Sequence, residues 1–144
     1  MRAGRLVPGV LVVAGAALLL APSVRRVEVV GGSMAPALLA GDRLVVVGPS
    51  RLSRWRAGGR RPAPGQVVAV YHPRQTDRVL VKRVASVDAA ADTLTLLGDA
   101  VTASTDSRHF GPVARSAVVG RAVYRYAPPG RTGPGPWVGE YART

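Results

Sequence analysis

QVVAVYHPRQTDRVLVKRVASV, residues Gln66–Val87, holds two runs rich in β-branched residues, Gln66–Tyr71 and Val79–Val87, separated by a segment in which His72 precedes Pro73 in a turn. Branched side chains favour a pleated backbone, and proline cannot supply a ladder N–H, so the stretch reads as strand, turn, strand. Similar runs occupy Arg43–Val47, Thr93–Leu97 and Val118–Tyr126, each bounded by Gly, Pro or Asp. No amphipathic helical pattern of ordinary length follows Arg26. Strands without intervening helices predict a mainly β domain, a small antiparallel barrel or sandwich rather than a doubly wound sheet.

Ahead of the strands, the nineteen residues Leu6–Val24 carry no charge. As a helix they would span about 28 Å, close to the hydrocarbon thickness of a bilayer. Pro8 and Pro22 fall in the end turns, where proline is tolerated, and Arg2, Arg5, Arg25 and Arg26 flank the stretch with headgroup-seeking charges. This predicts a single N-terminal transmembrane helix. The division expected is an anchor over residues 1–26, a β domain over 27–127, and a mobile Pro/Gly-rich tail over 128–144. A cleaved secretory signal is the rival reading, although its apolar part is usually shorter. A buried core helix is disfavoured because the stretch has no polar face.

Composition closes off several chemistries. The chain has 144 residues, no cysteine and a formal charge of +12. There is no disulfide scaffold, thiolate zinc site, iron–sulfur ligation or cysteine nucleophile, and no metal or other cofactor is expected. The stretch Arg51–Gly65, RLSRWRAGGRRPAPG, gathers five arginines around Trp55. It reads as a solvated insertion or as a membrane-surface loop, with arginines on anionic headgroups and Trp55 at the interface. Nucleic acid is not an expected partner, since aromatics make up only 5% of the chain and no recognition helix is visible.

Of the 20 basic residues one is lysine, Lys82, set in VLVKRV. Arginine keeps its proton at ordinary pH, whereas burial can neutralise a lysine, so a site that needs a basic amine must use lysine. Bringing a lysine from about 10.4 toward neutrality corresponds to roughly 4 kcal/mol of differential interaction. The plainer reading is an exposed strand lysine. A nucleophile for such a base is offered by Ser33 in GGSMAPAL, followed by Gly41-Asp42, where Gly31 and Gly32 allow close backbone approach and Pro36 stiffens the turn. A third cluster, LGDAVTASTDSRHFGPV over Leu97–Val113, supplies hydroxyls to orient an amine. Its Asp99 and Asp106, if buried, need arginines, for which Arg83 and Arg108 are the nearest candidates.

In order along the chain, an apolar anchor, S-M-x-P-x-L with G-D after it, K-R-V on a strand, and G-D followed by S-x-D-S-R-x-F-G-P-V resemble the bacterial signal peptidase I family. The resemblance implies a membrane serine endopeptidase that removes N-terminal signal or leader peptides. By it, Ser33 is the nucleophile and Lys82 the general base, with Ser104 orienting the lysine and the pairs Asp99 with Arg83 and Asp106 with Arg108 bracing the site. Gly31, Gly32 and Met34 fall at oxyanion and substrate-binding positions. The Ser33 N–H would be one oxyanion donor, while Gly31 replaces a serine that helps in some members and Ala100 replaces the asparagine of Gly-Asp-Asn. The substrate would be a precursor protein bound as an extended strand at a lipid membrane, with the catalytic domain on the extracytoplasmic face.

HPRQ before VLVKRV and FGPV before VVGRAVYRY also look like the small proteases that mature nickel-containing superoxide dismutase. From another class comes a non-catalytic basic module that binds anionic lipid or an acidic partner. A self-cleaving repressor would need a DNA-binding helical domain. His72 and His109 have no frame suited to a histidine-based mechanism.

Overall fold

The computed structural model describes residues 21–50 and 61–137. Within them the strands are β1 (Pro22–Glu28), β2 (Arg43–Ser50), β3 (Val67–His72), β4 (Gln75–Asp88), β5 (Thr93–Leu97), β6 (Val113–Ala114), β7 (Val118–Ala127) and β8 (Gly133–Pro134). Helical structure among the described residues is limited to 3-10 turns at Val101–Ala103 and Arg115–Ala117 and the four-residue α1 (Ser107–Phe110). The strands form one antiparallel sheet in the order β1-β2-β7-β3-β4-β5-β6, with β8 added to β7. The mainly β, antiparallel expectation agrees with this architecture.

Strand β3 explains why VVAV is apolar at every position. Val67 and Ala69 enter one core with Met34, Leu38, Leu44, Val46 and Trp137, while Val68 and Val70 enter a second with Val84, Leu94, Leu96 and Val113. A strand buried on both faces has no solvent side on which to place polar residues. Each such Val or Leu contributes about 1.5–3 kcal/mol on full burial, so the two cores hold β3 and its neighbour β4 firmly in register.

The expected transmembrane helix requires correction. Pro22–Val24, its last residues, belong to β1, which pairs with β2 from Pro22↔Ser50 to Glu28↔Arg43. No helix among the described residues is long and apolar enough to cross a membrane. The stretch Leu6–Leu20 lies outside the described residues. Arg25 and Arg26, read as headgroup stops, instead decorate an edge strand, where charge protects an open ladder from further pairing. The segment from Pro128 onward departs from a mobile tail as far as Trp137, because β8 pairs Gly133 and Pro134 with Arg125 and Tyr124 and Trp137 is buried in the first core. Residues 138–144 and 51–60 lie outside the described residues, the latter including most of the basic loop. At that loop's described edge, Arg61 meets Asp92 at 3.8 Å with both side chains about half exposed, a contact worth little in water.

Candidate active site

Ser33 sits in a loop, residues 29–42, closed at its base by backbone bonds. The Val29 N–H donates to the Asp42 carbonyl (2.8 Å) and the Gly41 N–H to the Val29 carbonyl (2.9 Å). Met34 and Leu38 are wholly buried and anchor the loop in the first core. Met34, expected to face substrate, is therefore a core residue that pins the turn carrying Ser33. Gly31 has φ +81°, a conformation that favours glycine, and it and Gly32 are exposed with open space above their Cα atoms. Among the described residues nothing accepts a hydrogen bond from the Ser33 N–H.

Strand β4 presents Lys82 and Arg83 to opposite faces, as the two-residue period of a strand requires. Lys82, only 3% exposed, donates from Nζ to Ser104 Oγ at 3.0 Å. Ser104 Oγ in turn donates to Asp106 Oδ2 at 2.7 Å. This relay has a direction. An ionised carboxylate can only accept, so the Ser104 proton is committed to Asp106 and its oxygen is left to accept from Lys82. One amine N–H is thereby fixed, so that whenever the amine gives up its proton the nitrogen lone pair of Lys82 is left for another partner.

The electrostatics maintain that direction. Burial alone would push the Asp106 carboxyl up, but hydrogen bonds from Arg108, the Gly98 N–H and Ser104 outweigh it and hold the group well below the usual carboxylate range. Arg108 grips Asp106 with two prongs, Nε to Oδ1 at 2.9 Å and Nη2 to Oδ2 at 2.6 Å. Asp106 also caps α1 by accepting from the Arg108 N–H at 3.2 Å. For Lys82, burial lowers the amine below its ordinary value, Arg78 and Arg108 repel its charged form, and Asp106 and Asp99 pull the other way. The net direction is down, toward the neutral amine that a general base must be.

On the other face Arg83 donates to both oxygens of Asp99 (2.8 and 2.7 Å), to the Gly65 carbonyl (2.8 Å) and to the Trp137 carbonyl (2.5 Å). Arg83 and Asp99 are both buried. A cavity of about 270 Å³ lined by Pro64, Gly65, Arg83, Val84, Ala85, Leu97 and Asp99 lies on this brace rather than at Lys82.

The structure thus brings Lys82 onto Ser104, Asp106 onto Arg108, and Arg83 onto Asp99. Ser33 joins them through the backbone, its carbonyl accepting from the Ala100 N–H at 3.0 Å. The alanine that replaces the motif's asparagine makes this link without a side chain. No hydrogen bond connects Ser33 Oγ with Lys82 Nζ among the described residues. The histidines serve the backbone: His72 Nδ1 accepts from the Arg74 and Gln75 N–H groups (3.0 and 3.1 Å), and His109 Nδ1 from the Asp106 N–H (3.4 Å).

Gly98 is the residue at which these parts touch. A Cβ there would collide with Ser104 Oγ and lie 2.5 Å from the Ser33 carbonyl oxygen. Gly98→Ala is expected to reduce any turnover by about 10²-fold, because a displacement of about 1 Å in reacting groups has that consequence. Steady-state kinetics beside circular dichroism would show the loss with the sheet retained.

Sequence reasoning named Gly41-Asp42 without giving Asp42 a partner, and it missed Arg125, Arg131 and Trp137. Asp42 is buried and accepts from the Leu39 N–H (2.9 Å), Arg125 Nη1 (3.0 Å), Arg131 Nε (3.1 Å) and Arg131 Nη2 (2.9 Å). Burial would raise its pKa, yet the Arg131 bond, the Leu39 N–H and Arg125 together lower it. The available signal was an acid beside a glycine turn in a chain with 20 basic and 8 acidic residues, where a buried carboxylate must find arginine.

The family model described as "Signal peptidase, peptidase S26" matches residues 3–91 and 85–127. Among curated proteins, the mitochondrial ATP-independent inner membrane protease subunit 1a of Arabidopsis thaliana is 36% identical over 85 residues, covering 45% of this chain and 51% of that protein. The alignment thus spans about half the length of this relative. With the family model covering most of its length, including Ser33, Lys82 and Ser104, the chain belongs to the signal peptidase family, peptidase S26.

Proposed function

We propose that this chain is a serine endopeptidase that removes N-terminal signal or leader peptides from precursor proteins by a Ser33–Lys82 dyad. The observation that carries the reading is the directional relay from buried Lys82 through Ser104 to ionised Asp106, which leaves the amine lone pair uncommitted. Neutral Lys82 takes the Ser33 proton as Oγ attacks the scissile carbonyl, and the Ser33 N–H donates to the resulting oxyanion. Lys82 then passes the proton to the leaving amine, giving an ester on Ser33. It next takes a proton from the attacking water, and collapse of the second tetrahedral intermediate returns that proton to Ser33 and frees the new carboxylic acid, which ionises by releasing its proton to solvent. No histidine enters the cycle.

The substrate in this reading is an extended segment that pairs along a strand edge, with small pockets choosing side chains at alternate positions. Similarity to a protein named as a mitochondrial inner membrane protease subunit supports proteolysis at a membrane. Arg83 with Asp99 and Arg108 with Asp106 act as braces. The Gly31–Gly32 backbone leaves room for the substrate to approach Ser33.

The test is to incubate the full chain in detergent micelles with a panel holding a signal peptide and a dismutase propeptide, then quench in acid and digest with trypsin. Cleavage after Arg26 and Arg43 would release Val27–Arg43, in which Ser33 is the single serine. An acyl adduct on this fragment is the expected result, and the preferred peptide would separate general processing from dedicated propeptide maturation. Cleavage with the adduct elsewhere would overturn the assignment of Ser33. No cleavage of peptides that a known signal peptidase cuts would shift the reading to the non-catalytic surface module.

A further inference from the structure

The ten residues after β7, Pro128–Trp137, touch both halves of the site. At their start, Arg131 binds Asp42 at the base of the Ser33 loop with Nε and Nη2 (3.1 and 2.9 Å). Its carbonyl accepts from Arg125 Nε, and Arg125 Nη1 reaches Asp42 (3.0 Å) and the Ala37 carbonyl inside the loop (3.2 Å). The segment then returns along β7, with Gly133 opposite Arg125 and the Gly135 N–H on the Val123 carbonyl (2.9 Å). At its end Trp137 packs in the core that holds Met34 and Leu38, lies 5.7 Å from the Arg125 guanidinium, and accepts from Arg83. Arg83 is the neighbour of Lys82 and the partner of Asp99, one residue before the Ala100 N–H that binds Ser33.

One short segment therefore fastens the nucleophile's loop at one end and the base's strand at the other. No hydrogen bond between the Ser33 and Lys82 side chains fixes their separation, so it depends on what holds these two elements. We propose that Pro128–Trp137 is a positioning strap, and that Arg131 and Trp137 set the approach of Ser33 to Lys82 without touching substrate. The inference rests on the dyad reading for its catalytic consequence but not for its structural one. Arg131 is the part to perturb. Its side chain is 34% exposed, it makes its Asp42 contacts from outside both cores, and Arg125 remains on Asp42 when it is removed.

The experiment compares the full chain with Arg131→Ala and Arg131→Lys in kinetics on the peptide that wild type cuts best and in residue-resolved amide exchange. For Arg131→Ala, kcat is expected to fall about tenfold, with KM within about twofold, as befits lost positioning rather than lost binding. Exchange should quicken at Leu38, Gly41 and Ala100 and stay slow at Val68 and Val84. The acidic limb of the pH profile should move little, because the charges that act most on Lys82 are Asp106, Arg78, Arg108 and Asp99, none of which the change removes. Arg131→Lys, which restores one donor to Asp42, should recover most of kcat. Unchanged exchange at the three loop amides would overturn the strap, as would faster exchange at Val68 and Val84, which would make Arg131 a general fold residue. If wild type cuts nothing, the dyad reading fails by itself and the exchange comparison still decides the strap.

Discussion

Lys82→Met is expected to abolish cleavage, by about 10⁴-fold or more, and at the same time to make the protein more stable. The activity follows from chemistry: methionine fills a similar volume but cannot take the Ser33 proton. The stability follows from burial. Lys82 is 3% exposed, and its amine titrates below the ordinary value of 10.5 that it recovers on unfolding. Below the folded value both states carry the charge, and the folded state bears the full desolvation penalty. Between the folded value and 10.5 the unfolded chain binds more protons, so wild-type stability rises with pH across that window. The advantage of methionine, about 1–2 kcal/mol, should thus be largest at pH below the folded value and shrink as pH rises from there toward the ordinary lysine value. Melting curves of both proteins across that range check the sign. Wild-type kcat/KM should rise through the same lowered pKa as the amine loses its proton. A variant less stable than wild type at the acid end of that range would contradict the picture of a destabilising buried ammonium.

Asp106→Asn should have the second largest effect, and here activity and stability fall together. Its carboxylate accepts from the Gly98 N–H, Ser104 Oγ and three Arg108 donors. An asparagine oxygen cannot replace two oxygens, and its NH2 would face donors. The loss should be about 2–3 kcal/mol, at the lower end for a broken buried pair because Arg108 is 35% exposed and can turn to water. The Ser104 proton would lose its acceptor, freeing that hydroxyl to rotate and Lys82 with it, and turnover should drop about 10²-fold. Since Asp106 is held below its ordinary carboxylate pKa of 3.8, its contribution is present above that value and is lost as pH falls through the folded one. Acid unfolding followed by circular dichroism should therefore begin from a lower plateau in the variant and show less dependence on pH there.

How much of this was legible in the sequence differs by residue. Thr93–Leu97 was read at its observed bounds because its neighbours are strong breakers and its alternation is clear. Lys82 stood out by being the single lysine, Asp99 and Asp106 as acids in a polar loop that would need arginines if buried, and Ser104 only through the resemblance to the signal peptidase family. Strand β1 was hidden because Val24 sits at the end of an uncharged run, and only its pairing partner, far along the chain, shows Pro22–Glu28 to be sheet. Met34 followed a candidate nucleophile, and periodicity does not tell a core anchor from a substrate contact in a turn. Arg131 and Trp137 were obscured by the prolines and glycines around them. Such residues mark a chain without regular structure of its own, but they do not forbid one pinned by an ion pair 89 residues distant.

The alternation of Lys82 and Arg83 on β4 makes the parity of one hairpin a condition of the chemistry. A strand slipped by one residue turns each side chain to the opposite face. A single residue added in the turn near Pro73–Arg74, if absorbed by β4, would swing Arg83 to the side of Ser104 and carry Lys82 to that of Asp99. The place opposite Val68 would then hold Val81, which has no amine, with Arg83 standing two residues along the same face as an always-charged side chain, while the brace lost its bidentate fork. Two added residues would return both side chains to their own sides. For this hairpin, odd and even changes of length are chemically different events.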